Sequence, residues 1–252
     1  MPSAQFVHSQ IAYSDLLDSL IRPGTRWLDI GCGHTILPDW IRDSIFLQKK
    51  LIGRCEIAHG CDPSDDRPHK AGLQKYVGDC ETLPYPDGHF NLVTANMVVE
   101  HIADRAAFMA EIHRVLAVGG VFVLHTPNLF YPPILMASLM PKRLIRVAAY
   151  FLDGRDRKDI YPTHYQMNTR GALSGLRGFR VVELRSVETA PLLHKLPVVN
   201  GVESLLIRAT RHARLQYFRS NWLGILEKIP ETNAVRADDS QGMIEAETMA
   251  SS

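Results

Sequence analysis

Three carboxylates, two glycines and two histidines stand where they could do chemistry. Asp29, Gly31 and Gly33 lie in the stretch from Arg26 to Thr35, where the apolar run Trp27, Leu28, Ile30 ends in Gly31-Cys32-Gly33. Glycine accepts positive φ and lets a ligand approach the backbone, so the turn reads as a binding loop at a strand end. Asp62, stiffened by Pro63, closes a second apolar stretch that runs from Glu56 to Cys61; Asp79, beside Cys80, closes a third that starts at Lys75. An ionised carboxylate accepts hydrogen bonds on both oxygens, which suits a pair of hydroxyls or an exocyclic amine. Should the ligand's partner be a hydroxyl, a base is needed, and His101 and His164 are the candidates, since imidazole titrates near neutral pH.

Such residues need a frame that brings them together. The periodicity predicts a helix over Ser9–Ile21, ended by Pro23-Gly24, then the strand that carries Asp29. A second helix is expected from about Pro38 to Leu47, with Trp40, Ile41, Ile45 and Phe46 inward, which would place the glycine turn at a helix N-terminus with free N–H groups. A fourth strand, Phe90–Ala95, leads into Asn96-Met97-Val98-Val99-Glu100-His101. A helix capped by Asp104 follows, with an inner stripe of Phe108, Ile112, Val115 and Leu116, stopped by Gly119-Gly120. Val121–Thr126 is a fifth strand, a short helix capped by Asn168 or Thr169 runs to about Leu176, and Arg180–Val187 is a sixth. Gly201–Ala209 is expected as a seventh strand and Arg211–Ile229 as a last helix.

Composition narrows the choice. The 252 residues carry a net charge of +1 and 46% hydrophobic residues, which suits a sizeable core and offers no long-range field to pull on nucleic acid. Four cysteines, Cys32, Cys55, Cys61 and Cys80, are spread singly with no C-x-x-C pair. They are expected as reduced thiols in a cytoplasmic compartment, with no metal site. No secretory leader and no bilayer-length apolar stretch is apparent.

The order of these features is similar to that of the class I S-adenosylmethionine methyltransferases. The likeness runs from about Arg26 to Asn128: the acidic-x-Gly-x-Gly turn, Asp62, Asp79, Val98-Val99-Glu100-His101-Ile102, and Arg114-Val115-Leu116-Ala117-Val118-Gly119-Gly120 with its following strand. The nearest resemblance is to the branch of ubiquinone-biosynthesis O-methyltransferases. It implies an α/β, Rossmann-like three-layer sandwich with a seven-stranded, mostly parallel sheet whose last strand is antiparallel. It implies S-adenosyl-L-methionine (SAM) as cofactor, with Asp29 orienting its ammonium and Gly31, Cys32 and Gly33 along the methionine portion. Asp62 and Pro63 would serve the ribose, Asp79 and Cys80 the adenine, and the backbone of Asn96 and Met97 would border the sulfonium. Thr35 stands where the family usually has a further glycine. Met97 replaces a glutamate that, in the ubiquinone branch, helps hold a divalent metal; a thioether is a poor ligand for a hard cation, so no metal is expected.

The implied reaction is methyl transfer to a small-molecule acceptor, a hydroxyl on a glycan, lipid-linked or secondary metabolite. The alternative is a methyltransferase-like binding module that acts through its apolar insert. A nicotinamide dehydrogenase is disfavoured because Ile36 stands at the sixth place of a dinucleotide fingerprint. On this reading residues 1–210 form the domain, 129–168 an insert, 211–229 a C-terminal helix and 230–252 a disordered tail. The insert is apolar and basic; it reads as a lid, as a surface that touches lipid through 129–152, or as ordinary helices on the sheet edge. Nothing in the sequence sets an oligomeric state.

Overall fold

The computed structural model describes residues 7–63, 66–140, 161–190 and 197–230. Seven strands form one sheet: β1 (Arg26–Ile30), β2 (Ile57–Asp62), β3 (Gln74–Val77), β4 (Phe90–Asn96), β5 (Leu116–Pro127), β6 (Phe179–Val187) and β7 (Asn221–Lys228). Their order across the sheet is β3-β2-β1-β4-β5-β7-β6, parallel from β3 to β5 and antiparallel where β7 meets β5 and β6. The order reverses between β1 and β4, which is where open α/β sheets bind ligands.

Successive residues of a strand face opposite sides, and the core divides accordingly. On one side Leu28 and Ile30 pack with Phe108, Ile112 and Val115 of α3 (Arg105–Val115) and with Leu173 of a short helix, Arg170–Ser174. On the other side Trp27 packs with Tyr13 and Leu17 of α1 (Ser9–Leu20) and with Leu51 of α2 (Ser44–Arg54). The result is the expected three-layer sandwich. Asp104 caps α3 by accepting from the N–H groups of Ala106 and Ala107, both at 2.9 Å. Among the described residues no helix is long and apolar enough to cross a membrane.

Four expectations fail. Helix α3 ends at Val115, so Leu116 and Gly119-Gly120 belong to β5 and do not continue or stop the helix. The second helix begins at Ser44, not at Pro38. Trp40 is 57% exposed and Phe46 71%, because the chain stays irregular through Asp43 and rotates both rings outward. Among the described residues no helix N-terminus therefore abuts the glycine turn. The segment Gly201–Ala209 belongs to a helix, Pro197–Ala209, and the true seventh strand is Asn221–Lys228, where a C-terminal helix was expected. Trp222-Leu223-Gly224-Ile225-Leu226 is apolar without interruption and buried throughout, as a strand between two neighbours requires. A helix would have turned one face of that run to water and held Gly224 in its interior. The sheet domain thus extends past 210, to Lys228. The expected disordered tail, apart from Pro230, and residues 141–160 of the insert lie outside the described residues.

Candidate active site

A cleft of about 960 Å³ opens at the carboxyl ends of β1, β2 and β4. One wall holds Gly31, Gly33, Asp62, Pro63, Asp79 and Cys80, and the other holds Met97, His101, Tyr161, Pro162 and His164. Residues up to 133 positions apart in sequence, Gly31 and His164, share this single space.

The glycine wall is built from backbone. Gly31 and Gly33 adopt positive φ, 68° and 50°. A Cβ on Gly31 would stand 2.3 Å from Cγ2 of Val98, so the turn after β1 and the turn after β4 touch only because that side chain is missing. The Gly31 and Cys32 N–H groups donate to the Cys61 carbonyl at 2.7 and 3.2 Å, and the Gly33 N–H donates to Asp62 Oδ2 at 3.0 Å. Lys75 Nζ donates to the Gly33 carbonyl at 3.0 Å. Asp62 is thereby aimed into the cleft by the loop it is expected to serve. Asp79, two residues past β3, is exposed and accepts from the Glu81 N–H at 2.9 Å, an Asx turn that faces its carboxylate toward the same space.

Three expected residues do not line the cleft. Asp29 is buried beneath it, where its Oδ1 accepts a short hydrogen bond from Thr94 Oγ1, which in turn accepts from Trp27 Nε1 at 2.8 Å. Burial pushes the Asp29 carboxyl up to about 7. The Cys32 side chain points into the core below Gly60, so only its backbone belongs to the turn. Asn96 turns its amide toward α1: Gln10 Nε2 donates to Asn96 Oδ1 at 3.2 Å, and Asn96 Nδ2 donates to Gln10 Oε1 at 3.0 Å. Met97 does line the cleft. It holds φ at 58°, which a side chain rarely tolerates, and is fixed there by its N–H, donated to the His125 carbonyl at 2.7 Å.

The histidine wall is built from side chains and one crossing segment. His164 and Tyr165 donate their N–H groups to the Glu100 carbonyl at 2.7 and 3.3 Å, which lays Tyr161–Tyr165 across the β4–α3 connection. His101 Nδ1 lies 2.8 Å from the Pro162 carbonyl oxygen, an atom that only accepts, so Nδ1 carries the proton. In the neutral ring the lone pair is then on Nε2, 3.9 Å from Glu100 Oε1. Tyr161 stands edge-on to this ring at 5.8 Å. Glu100 is buried, which raises its carboxyl to about 7, and its other oxygen accepts from Thr126 Oγ1 at 3.1 Å. Asn168 completes the support by donating to Thr126 Oγ1 at 2.7 Å and to the Pro127 carbonyl at 2.9 Å.

Sequence reading missed the supporting polar residues: Thr94, Thr126, Asn168, Gln10 and Lys75. Thr94 and Thr126 are polar side chains inside apolar strands, and that is the signal that could have found them. It missed His125 too, which is fully buried, held low at about 3 by burial, and tied to Asn96 Oδ1 at 2.8 Å.

The site therefore offers a strand-end glycine turn, two carboxylates on adjacent strand ends and an oriented imidazole. Residues 7–184 match a family model described as a methyltransferase domain. The chain belongs to that methyltransferase-domain family. The chain is 32% identical over 122 residues to a fatty-acid O-methyltransferase of Mycolicibacterium smegmatis, a match that covers 48% of this chain and 42% of that protein. It is 29% identical over 104 residues to a ubiquinone/menaquinone biosynthesis C-methyltransferase of Stenotrophomonas maltophilia, covering 40% of this chain and 41% of the relative. The match thus spans about two-fifths of the length of each. Among solved structures, a geranyl diphosphate C-methyltransferase of Streptomyces coelicolor, crystallised with Mg2+, geranyl diphosphate and S-adenosyl-L-homocysteine, superposes with a TM-score of 0.54 at 17% identity, over 87% of this chain and 78% of that one. That likeness establishes the shared fold.

Proposed function

We propose that this methyltransferase-family chain binds SAM in the cleft and methylates a hydroxyl of a small-molecule acceptor, of the glycan, lipid-linked or secondary-metabolite kind. The observation that carries the reading is the convergence of Gly31, Gly33, Asp62 and Asp79 on one wall of a single cleft, with His101 on the other. The residues fit the cofactor's chemistry: Gly31 and Gly33 line the cleft, and the Asp62 and Asp79 carboxylates would accept hydrogen bonds from the ribose hydroxyls and the adenine amine. Bound there, SAM supplies a methyl group on a sulfonium that is already a good leaving group. The rest is positioning and one proton transfer. His101 would receive the acceptor's proton at Nε2, the nitrogen that does not face the Pro162 carbonyl, and the Glu100 carboxyl beside it would stabilise the imidazolium. The O-methylating relative is consistent with a hydroxyl or carboxyl acceptor, while the C-methylating one shows that the family is not confined to oxygen. The four free cysteines fit a reducing, cytoplasmic setting.

Titration calorimetry with SAM, followed by a radiolabelled-methyl screen of candidate acceptors, tests the proposal. The expected result is one SAM site per chain and label transferred to a hydroxyl-bearing acceptor. Absence of SAM binding would defeat it.

A further inference from the structure

A second surface is unused by the transfer chemistry. From Leu129 to Met140 the chain has no charged residue. Within it Pro132–Leu139 forms α4, and no residue of that helix is buried. Met136 and Leu139 are 67% and 78% exposed. Two contacts hold its start. The buried Tyr131 donates its hydroxyl to Glu203 Oε1 at 2.8 Å, and the Phe130 ring lies 5.6 Å from that of Tyr217.

These two contacts set α4 beside the helix Pro197–Ala209 and the 3-10 turn Ala213–Phe218. The longer helix turns Glu203 and Ile207 inward and leaves Val202 and Leu205 outward, 66% and 68% exposed. Leu215 and Phe218 extend the apolar surface along the 3-10 turn. Charge on this face has one sign. From Asn200 to Arg219 the only acidic residue is Glu203, which is buried against Tyr131, while Arg208, Arg211 and Arg214 are exposed. Glu188, which meets Arg211 and Arg219 from outside the segment, is also buried.

Exposed Met, Leu and Val next to the exposed Arg208 and Arg214 is a combination with a specific requirement: hydrocarbon and negative charge side by side. A second copy of the same face would set arginine near arginine. We propose that the surface formed by α4, the helix Pro197–Ala209 and the 3-10 turn docks on an anionic lipid surface. The apolar side chains enter the headgroup boundary and the arginines meet lipid phosphates. At eight residues α4 spans about 12 Å, enough to lie in the interface and too short to cross it. The proposal does not depend on methyl transfer.

Flotation of the full-length chain with vesicles tests it, comparing phosphatidylcholine alone with an equal mixture of phosphatidylcholine and phosphatidylglycerol. Binding is expected to be about tenfold or more tighter to the anionic vesicles and to weaken as salt is raised. Met136→Glu with Leu205→Glu should lose at least about tenfold of that binding. Arg208→Ala with Arg214→Ala should lose about fivefold per arginine and flatten the salt dependence. Both double variants should keep the wild-type melting temperature and SAM titration, since all four side chains are exposed. Equal binding of wild type to neutral and anionic vesicles, or undiminished binding by the Met136/Leu205 pair, would overturn it. So would a stable dimer in solution that Met136→Glu splits, because a second copy would then own the face.

Discussion

The two walls of the cleft are held in place by different means. Gly31, Gly33 and Asp62 are fixed by the parallel ladder of β1, β2 and β4 and by backbone N–H groups, one of which Asp62 itself accepts. His101, Tyr161 and His164 are fixed by a carbonyl from a crossing segment and by the buried chain Glu100, Thr126, Asn168. Backbone ladders define position to within the rigidity of the sheet. Side-chain chains also define which atom holds a proton. The first wall should therefore govern binding, and the second should govern turnover and its dependence on pH.

The largest effect expected from this division is on turnover. His101→Ala and His101→Gln should each lower kcat by about 10²- to 10⁴-fold, as removal of a general base does, with the SAM dissociation constant unchanged. His164→Ala should cost less, since its backbone, not its ring, joins Glu100. A His101 variant that loses SAM affinity and keeps kcat would erase the distinction between the walls.

Binding comes next. Asp62→Ala removes an acceptor for the ribose and releases the Gly33 N–H at the same time. Hydrogen bonds to a charged group contribute about 1.5–3 kcal/mol each, so SAM affinity should fall about ten- to a hundredfold or more by calorimetry. The melting temperature of the unliganded chain should move by only a few degrees. A large loss of stability with intact affinity would mean that Asp62 only braces the loop.

How much of this was legible in the sequence follows the same division. The first wall was readable because its signals are local: Gly31-x-Gly33 after an apolar run, and an aspartate at the end of each of the next two strands. The side chains of Asp29, Cys32 and Asn96 turn away from the cleft because a strand alternates its faces, and position in a motif does not say which face a neighbour occupies. The second wall depends on contacts 60 or more residues apart, such as His101 to Pro162, and no local pattern announces those. The exchange of strand and helix beyond residue 200 has a similar cause. Gly201–Ala209 holds the short apolar run Leu205-Leu206-Ile207 that can pass as a strand, yet its Glu203 and Ile207 fall on one buried helical face. Asn221–Lys228 was read from Trp222, Ile225 and Leu226, which sit at helical spacing, but Leu223 and Gly224 between them are buried as well.

A pair of buried carboxyls, one behind each wall, sharpens the contrast through pH. Burial disfavours the anion and pushes both the Asp29 and the Glu100 carboxyls up to about 7 in the fold, from ordinary values of 3.8 and 4.5. Between about pH 4 and 7 the folded chain thus holds protons that the unfolded chain has released. Their stabilising contribution is fully present at the acid end and is lost as pH rises through 7. Glu100→Gln and Asp29→Asn should each flatten the stability profile over that window and stabilise the fold at pH 8, by about 2 kcal/mol in order of magnitude. The gain should be larger for Glu100→Gln, whose new amide can reach His101 Nε2 with a small shift from 3.9 Å. Only this variant should also lower kcat, because it removes the anion behind the base. Denaturant titrations at pH 5 and pH 8 read the slopes. A slope unchanged in both variants would show that neither group titrates there.

The smallest effect separates backbone conformation from contact. Gly31 and Gly119 adopt nearly the same φ, 68° and 76°. Gly31 has Val98 where a Cβ would go, whereas Gly119, in the irregular stretch where β5 shifts register against β4, has nothing within 4 Å. Alanine at Gly119 meets only the left-handed backbone penalty, about 1–2 kcal/mol, and should lower the melting temperature by several degrees without touching SAM affinity. Alanine at Gly31 meets the same penalty plus displacement of Val98, which lines the cleft, so it should weaken SAM binding as well as the fold. If the two variants behaved alike, conformation alone would set the cost, and the close approach of the β1 and β4 turns would not be what shapes the glycine wall.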